Sequence, residues 1–308
     1  MKKKAILLMG PTASGKTDLA ISLCKRFPCD VISVDSALVY RGMDIGTAKP
    51  DAETLARTPH RLIDIRDPEE SYSAGEFVRD AYREMDAIFA GGRIPLLAGG
   101  TMMYFRALTR GIAELPGADS KIRAEIDAEG EQQGWPAMHA ELRRVDPQAA
   151  DRIKPNDRQR IQRALEVYRS SGIPLSRWQE DSAPARTDID YLKIGLNIEP
   201  RQVLHERIAR RLDLMMEQGF VAEVERLRAR PQLTAEHPSM RSVGFRQFWR
   251  HLDGEFDVAE ATRRALYATR QLAKRQITWL RSETDIFLVD PLEADAVDAI
   301  STFLAQSL

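Results

Sequence analysis

The chain is predicted to be an α/β protein: a parallel sheet flanked by helices, with a P-loop (phosphate-binding loop) after its first strand and a helical insertion domain. Three observations carry this. Short apolar runs alternate with helix-periodic segments through the first hundred residues. A glycine-rich loop stands between the first run and the first helix. Residues 118–180 contain almost no β-branched runs and are rich in Ala, Arg, Glu and Gln, as expected of a helical insertion.

Taken in order, residues 5–9 form a short apolar strand, followed by the loop and by a helix over Lys16–Arg26. Residues 30–34 are β-branched and read as a buried strand. Phe77, Ala81, Met85 and Ile88 recur at helical spacing. Residues 94–98 make another short strand ending in Gly99 and Gly100. After the insertion, residues 191–198 return to the sheet. Helices are expected over 203–228, 244–251 and 258–281, then an edge strand over 286–289 and a short final helix. The core domain is assigned to 1–117 and 190–308, and the insertion to 118–189.

At 308 residues, two domains are expected. With 43% hydrophobic and 30% charged residues, disordered, collagen-like and coiled-coil classes are set aside. No apolar run approaches the roughly 18 residues that a membrane span needs. The basic opening residues precede an apolar run too short for a signal peptide, so a cytoplasmic protein is expected. Cys24 and Cys29 suit no disulfide framework and no metal pattern. The five histidines are scattered without ligand spacing. Nothing resembles an obligate dimer seam, so a monomer is expected.

Gly10, Pro11, Thr12, Ala13, Ser14, Gly15, Lys16 and Thr17 match G-x-x-x-x-G-K-[ST] completely, between a strand and a helix. Glycines let successive N–H groups point at phosphate oxygens, and the helix adds its positive end. Lys16 supplies a mobile charge, and Thr17 a hydroxyl suited to Mg²⁺. The site is expected to bind a di- or triphosphate. Asp35 closes the second strand, at the ligand crevice of open α/β sheets. From the residues alone, it is a metal ligand, a general base or the N-cap of a following helix.

Together with the loop, DSALVYRGMDIGTAKP at 35–50 and GGTMMY at 99–104 resemble the bacterial tRNA dimethylallyltransferase (isopentenyl-diphosphate:tRNA transferase) family. DRQRIQRALE at 157–166, RSVGFRQ at 241–247 and KRQITWLR at 274–281 are similar to it too. The matches run in order over nearly the whole chain, and the 35–50 block is highly specific. Pro59, His60 and Arg61 depart from the family, where two histidines would be expected.

The resemblance implies transfer of a dimethylallyl group from dimethylallyl diphosphate to the 6-amino group of the adenosine just 3′ of the anticodon in tRNA. The loop would then hold a diphosphate leaving group, with Lys16 and Mg²⁺ near Thr17 stabilising the charge released. No hydrolytic acid pair is needed, in keeping with the lack of an acid after Gly99 and Gly100. The amine gains positive charge on attack, so a base must take a proton. By resemblance that base is Asp35, and Thr101 orients the amine.

The resemblance also places tRNA contacts at Asp35, Ser36, Ala37, Leu38, Thr101 and Arg123. It adds Gln159, Arg160, Ile161, Gln162 and Arg163, then Arg241, Ser242, Val243, Gly244, Phe245 and Arg246; the charge pattern of the 263–281 helix adds Lys274, Arg275 and Arg281. The adenosine must leave its stack to reach such a pocket, so a basic surface is expected beside it. A net charge of −1 conceals one: residues 152–178 hold seven cations against two acids, and residues 263–281 hold six cations and no acid. At about 100° per residue, Arg263, Arg270, Lys274 and Arg281 lie within about 40° on a helical wheel, apart from an apolar arc. Such a single-sign stripe suits a phosphate backbone.

Three rival readings remain at this point. A P-loop kinase for a small metabolite accounts for the loop but not for the stripe. An isopentenyltransferase acting on free adenine nucleotide needs no RNA platform. A non-catalytic RNA-binding switch would not depend on Asp35. Met215 and Met216 are expected to be core rather than a prenyl-binding box.

Overall fold

The computed structural model describes residues 2–113, 115–180 and 185–308. The chain divides into two compact units, Met1–Thr109 with Thr187–Leu308, and Arg110–Arg186. Compared with the expected division, 110–117 and 118–186 fall together in the second unit, and 187–189 in the first.

The strands are β1 (Lys3–Met9), β2 (Cys29–Val34), β3 (His60–Arg61), β4 (Ile94–Gly99), β5 (Ile189–Leu196) and β6 (Ile286–Val289). They form one sheet in the order β3-β2-β4-β1-β5-β6, with every neighbouring pair parallel. In the first unit the helices are α1 (Lys16–Arg26), α2 (Ala52–Arg57), α3 (Ala74–Ala90) and α4 (Met102–Arg110). The second unit holds α5 (Ser120–Gln133), α6 (Trp135–Val145), α7 (Pro147–Arg152), α8 (Arg158–Ser171) and α9 (Leu175–Glu180). The first unit resumes with α10 (Arg201–Glu217), α11 (Phe220–Arg228), α12 (Phe245–Leu252), α13 (Val258–Leu280) and α14 (Ala296–Ser307).

Alternation along β1 supplies both layers of the core. Ile6 and Leu8 pack with Leu19, Ala20 and Leu23 of α1 and Ile300 and Leu304 of α14. Each of these leucine and isoleucine side chains contributes about 1.5–3 kcal/mol when fully buried. Helix α3 buries Phe77, Ala81, Met85 and Ile88, the face its spacing predicts. Ser73 and Glu76 close its N-terminus as a capping box.

The single helix expected over 203–228 is two helices. Gly219 stands at φ 92°, a left-handed conformation that ends α10 and starts α11 in a new direction. Leu204, Ile208, Leu212 and Met215 therefore form the stripe of α10 alone, while Phe220, Val224 and Leu227 belong to α11.

The second unit has its own core, built from Ile126, Met138, Leu142, Ile161, Leu165 and Val167. No helix among the described residues is long and apolar enough to cross a membrane.

Candidate active site

Strands β2, β4 and β1 are neighbours, so their C-terminal ends lie side by side at Val34, Gly99 and Met9. The close approach requires glycine: a Cβ on Gly99 would stand 2.0 Å from the Val34 carbonyl oxygen. Beyond these ends a cavity of about 910 Å³ opens, reached by the phosphate loop, by residues 35–38 and by Thr101. Helices α10 and α13 supply its other walls.

Thr12, Ala13, Ser14, Gly15, Lys16 and Thr17 line this cavity. Gly10 and Pro11, expected to bind phosphate as well, are buried behind the loop. A Cβ on Gly10 would come within 2.9 Å of Leu196, so that glycine lets the loop pack on β5. Gly15 takes φ 87°, and no side chain caps α1. The first-turn N–H groups of α1 are thereby left for a ligand's oxygens.

Lys16 reaches back over the loop, donating to the Pro11 carbonyl at 2.6 Å. Burial lowers its pKa to about 7, the Arg211 charge pushes the same way, and Asp35 opposes both. Two arginines of α10 join it. Arg207 Nε donates to the Ala13 carbonyl at 2.8 Å, and Arg211 donates to the Thr12 hydroxyl and the Thr47 carbonyl. Burial also holds Arg211 below its ordinary pKa, with Asp35 again opposing. Three cations concentrated at one loop call for an anion of high charge.

Asp35 does not cap a helix. Its Oδ1 accepts from the N–H groups of Ala37 and Leu38, at 2.8 and 3.4 Å, and closes a turn. Oδ2 stays outside that turn. The Thr101 hydroxyl oxygen accepts the Ser36 N–H at 3.1 Å, and the Thr101 N–H donates to the Val34 carbonyl. The carboxylate and the threonine hydroxyl are thus held on one hydrogen-bonded platform beside the phosphate loop.

The 44–46 turn is clamped by Glu223, a buried residue of α11 whose carboxylate accepts three successive N–H groups at 2.7–3.0 Å. Gly46 must be glycine, since a Cβ would lie 2.1 Å from the Phe220 ring. The clamp fixes Thr47, and through its carbonyl, Arg211. Ile208, Leu212 and Met215 give α10 an apolar cavity wall. Met215 is buried as expected, yet it lines the cavity as well. His60 also lines it, with Nδ1 in contact with the Thr58 carbonyl and its pKa lowered by burial.

Ser36, Ala37, Leu38, Arg241, Ser242, Val243, Gly244 and Arg275 line the cavity too. Phe245 does so with its side chain fully buried against Phe220, so packing is its contribution. Arg246 and Lys274 are exposed outside it, and Arg281 pairs with Glu199 at 3.5 Å. The N-terminal end of the α13 stripe is partly neutralised, because Glu260, one turn earlier, pairs with both Arg263 and Arg264.

In the second unit, Gln159 and Arg160 are exposed. Ile161, which the resemblance groups with the RNA contacts although its spacing with Ala164 and Leu165 marks a packing face, is fully buried in the core and does not reach an RNA surface. Gln162 donates to Asp127. Arg123 and Arg163 both bind the fully buried Glu166, at 2.9 and 2.8 Å.

Sequence reasoning missed Arg207, Arg211, Glu223 and Gln276. The first two are four residues apart, a spacing that marks one helix face but not which neighbour it meets. Cys24 and Cys29 stand away from the cavity, with burial raising their thiols to about 11 and about 12. Among the described residues, no cluster of three or more His, Cys, Asp or Glu could hold a metal.

Fold and cavity together define a P-loop α/β enzyme in which a polyphosphate grip and a carboxylate share one chamber. The pattern of the IPP transferase family matches residues 38–283. A tRNA dimethylallyltransferase 2 of Hahella chejuensis is 54% identical, over 99% of this chain and 96% of that protein. The crystal structure of a tRNA isopentenylpyrophosphate transferase from Bacillus halodurans matches with TM-score 0.72 at 36% identity, covering 99% and 96% of the two chains. A eukaryotic dimethylallyltransferase, solved acting on tRNA, matches with TM-score 0.77 at 28% identity, over 98% of this chain and 77% of that one. The chain belongs to the IPP transferase family. The names of these relatives make tRNA their substrate.

Proposed function

We propose that this chain is a tRNA dimethylallyltransferase. It transfers a dimethylallyl group from dimethylallyl diphosphate to the 6-amino group of the adenosine 3′ of the anticodon and releases diphosphate. One observation carries the reading: Asp35 and Thr101 stand on a shared platform in the same cavity as the loop ending in Lys16 and Thr17. A chamber with an anion grip on one side and a proton acceptor on the other suits displacement of a diphosphate by a weak amine.

The diphosphate is taken up by the free N–H groups of α1, by Lys16 and by Arg207 and Arg211. As the C–O bond breaks, negative charge grows on the leaving oxygen, where these groups stabilise it. The five-carbon chain lies against Ile208, Leu212 and Met215. Thr101 orients the amine, the C–N bond forms, and Asp35 Oδ2 accepts the departing proton. The products are N-prenylated adenosine and diphosphate.

The donor set fits Mg²⁺ held largely by the substrate. Thr17 offers an exposed hydroxyl, and Asp18 and Asp35 line the same cavity. Mg²⁺ commonly takes only one or two protein groups and fills its shell with phosphate oxygens and water. When bound it would neutralise diphosphate charge. The RNA is held by Ser36, Ala37 and Leu38, by the 241–246 segment, by Lys274, Arg275 and Arg281, and in the second unit by Arg123, Gln159, Arg160, Gln162 and Arg163. The enzyme works as a cytoplasmic monomer.

The test is incubation with dimethylallyl diphosphate and unmodified tRNA, followed by mass analysis of nucleosides. A five-carbon addition to adenosine is expected. Phosphate transfer from γ-labelled ATP to a small acceptor, with no such addition, would favour a kinase instead.

A further inference from the structure

We infer that Gln276 is a positioning residue that fixes the spacing between the diphosphate grip and Thr101, and ties both to helix α13. The inference rests on the prenyl-transfer reading above. Gln276 is only 9% exposed, and its amide is used at both ends. Oε1 accepts the Thr12 N–H at 2.9 Å, and Nε2 donates to the Gly100 carbonyl at 2.8 Å. Thr12 belongs to the phosphate loop after β1, and Gly100 immediately precedes Thr101 after β4. One side chain therefore spans the gap between the two loops that handle the two halves of the reaction.

The chemistry of the amide suits this task. It presents one acceptor and two donors at opposite corners of a rigid plane. A carboxylate would set a second acceptor against the Gly100 carbonyl, and an aliphatic chain would satisfy neither group. The fit is also steric, because a Cβ on Gly100 would lie 2.5 Å from Gln276 Nε2. Beyond the sheet, the direct backbone link between these two loops is long: Gly10 N–H to the Gly99 carbonyl, 3.4 Å. Without Gln276, Thr12 and Gly100 would each lose a partner, and the loops would be free to drift. A misplacement of about 1 Å in a reacting pair costs up to about 100-fold in rate.

Gln276 follows Arg275, the cavity-lining cation of the same helix. A helix turned by RNA at Arg275 therefore carries Thr12 and Gly100 with it. The amide gives the RNA-facing helix a mechanical connection to both reacting groups.

The experiment compares Gln276→Leu, Gln276→Glu, Thr101→Ala and the double variant Gln276→Leu with Thr101→Ala, using intact tRNA and dimethylallyl diphosphate. Gln276→Leu is expected to lower kcat about 10- to 100-fold, with KM for tRNA changed by less than about threefold. Gln276→Glu keeps the shape and the Thr12 hydrogen bond but sets an acceptor against the Gly100 carbonyl, is expected to lower kcat as well, and serves if the leucine variant does not fold. The double variant is expected to be no slower than Thr101→Ala by more than about threefold, since Gln276 acts largely through Thr101. A lowered thermal midpoint with unchanged kcat, or losses that multiply in the double variant, would overturn the proposal. The wild-type arm separates the two readings: a wild-type chain that adds no five-carbon unit overturns prenyl transfer itself, whereas an active wild type with an equally fast Gln276→Leu overturns only the role of Gln276.

Discussion

The Thr101 side-chain oxygen accepts the Ser36 backbone N–H at 3.1 Å, so the segments after β4 and β2 meet at a single hydroxyl. Asp35 directly precedes Ser36, and the bond therefore sets the carboxylate relative to the threonine. Thr101→Ala removes the acceptor and is expected to cost about 1 kcal/mol in stability. Its kcat is expected to fall about 10- to 100-fold. Thr101→Ser should restore most of the rate, and steady-state kinetics with a thermal melt check both.

Lys16 gives the site a pH signature. Burial first and Arg211 second lower its pKa to about 7, while Asp35 pulls it up. Between about pH 7 and the ordinary lysine range, the unfolded chain holds this proton and the folded chain does not. The unfavourable buried charge is therefore present below about pH 7 and is relieved as pH rises. A diphosphate in the loop favours the charged amine, so binding near pH 8 is expected to draw up to about one proton. Calorimetry of diphosphate binding in buffers of different ionisation enthalpy measures this. Lys16→Ala should abolish the difference, and equal uptake by both proteins would refute the assignment.

Gly99→Ala should be among the most damaging small changes in the sheet. Its Cβ would meet the carbonyl carbon and oxygen of Val34, and both belong to backbone held in the ladder. Strain of about 1–3 kcal/mol or more is expected, together with lost activity. Gly117→Ala, which meets nothing within 4 Å, is the matched control. Thermal unfolding of the two variants separates them.

Lys274 of α13, exposed and outside the cavity, should act on RNA alone. Lys274→Glu is expected to weaken tRNA binding and to reduce the salt-dependence slope by at least about one unit. Diphosphate binding should be unchanged, since Lys274 does not line the cavity. An unchanged salt slope in filter binding would place the RNA elsewhere.

Much of this organisation was legible because local chemistry specified it. The loop from Gly10 to Thr17, α1 and the periodicity of α3 are written in contiguous residues, and β2 and β4 are short apolar runs bounded by turn residues. The 203–228 region misleads only when taken as one stripe: Met215 and Phe220 stand five residues apart, out of helical step, and Gly219 between them is the residue type that ends helices. Ile161 sits in a motif rich in RNA-suited side chains, but α8 turns it inward. Arg207, Arg211 and Gln276 look like ordinary polar positions of amphipathic helices; their role comes from the loop they are packed against. Glu223 is likewise a buried acid whose three donors lie some 180 residues earlier in the chain.

The most direct measurement is prenyl transfer by Asp35→Asn, an isosteric change that removes the proton acceptor. With saturating dimethylallyl diphosphate and tRNA, kcat is expected to fall about 100- to 10,000-fold. Affinities for tRNA and diphosphate should stay within about threefold of wild type. A variant that turns over at the wild-type rate, with both ligands still bound, would contradict the assignment of Asp35 as the base.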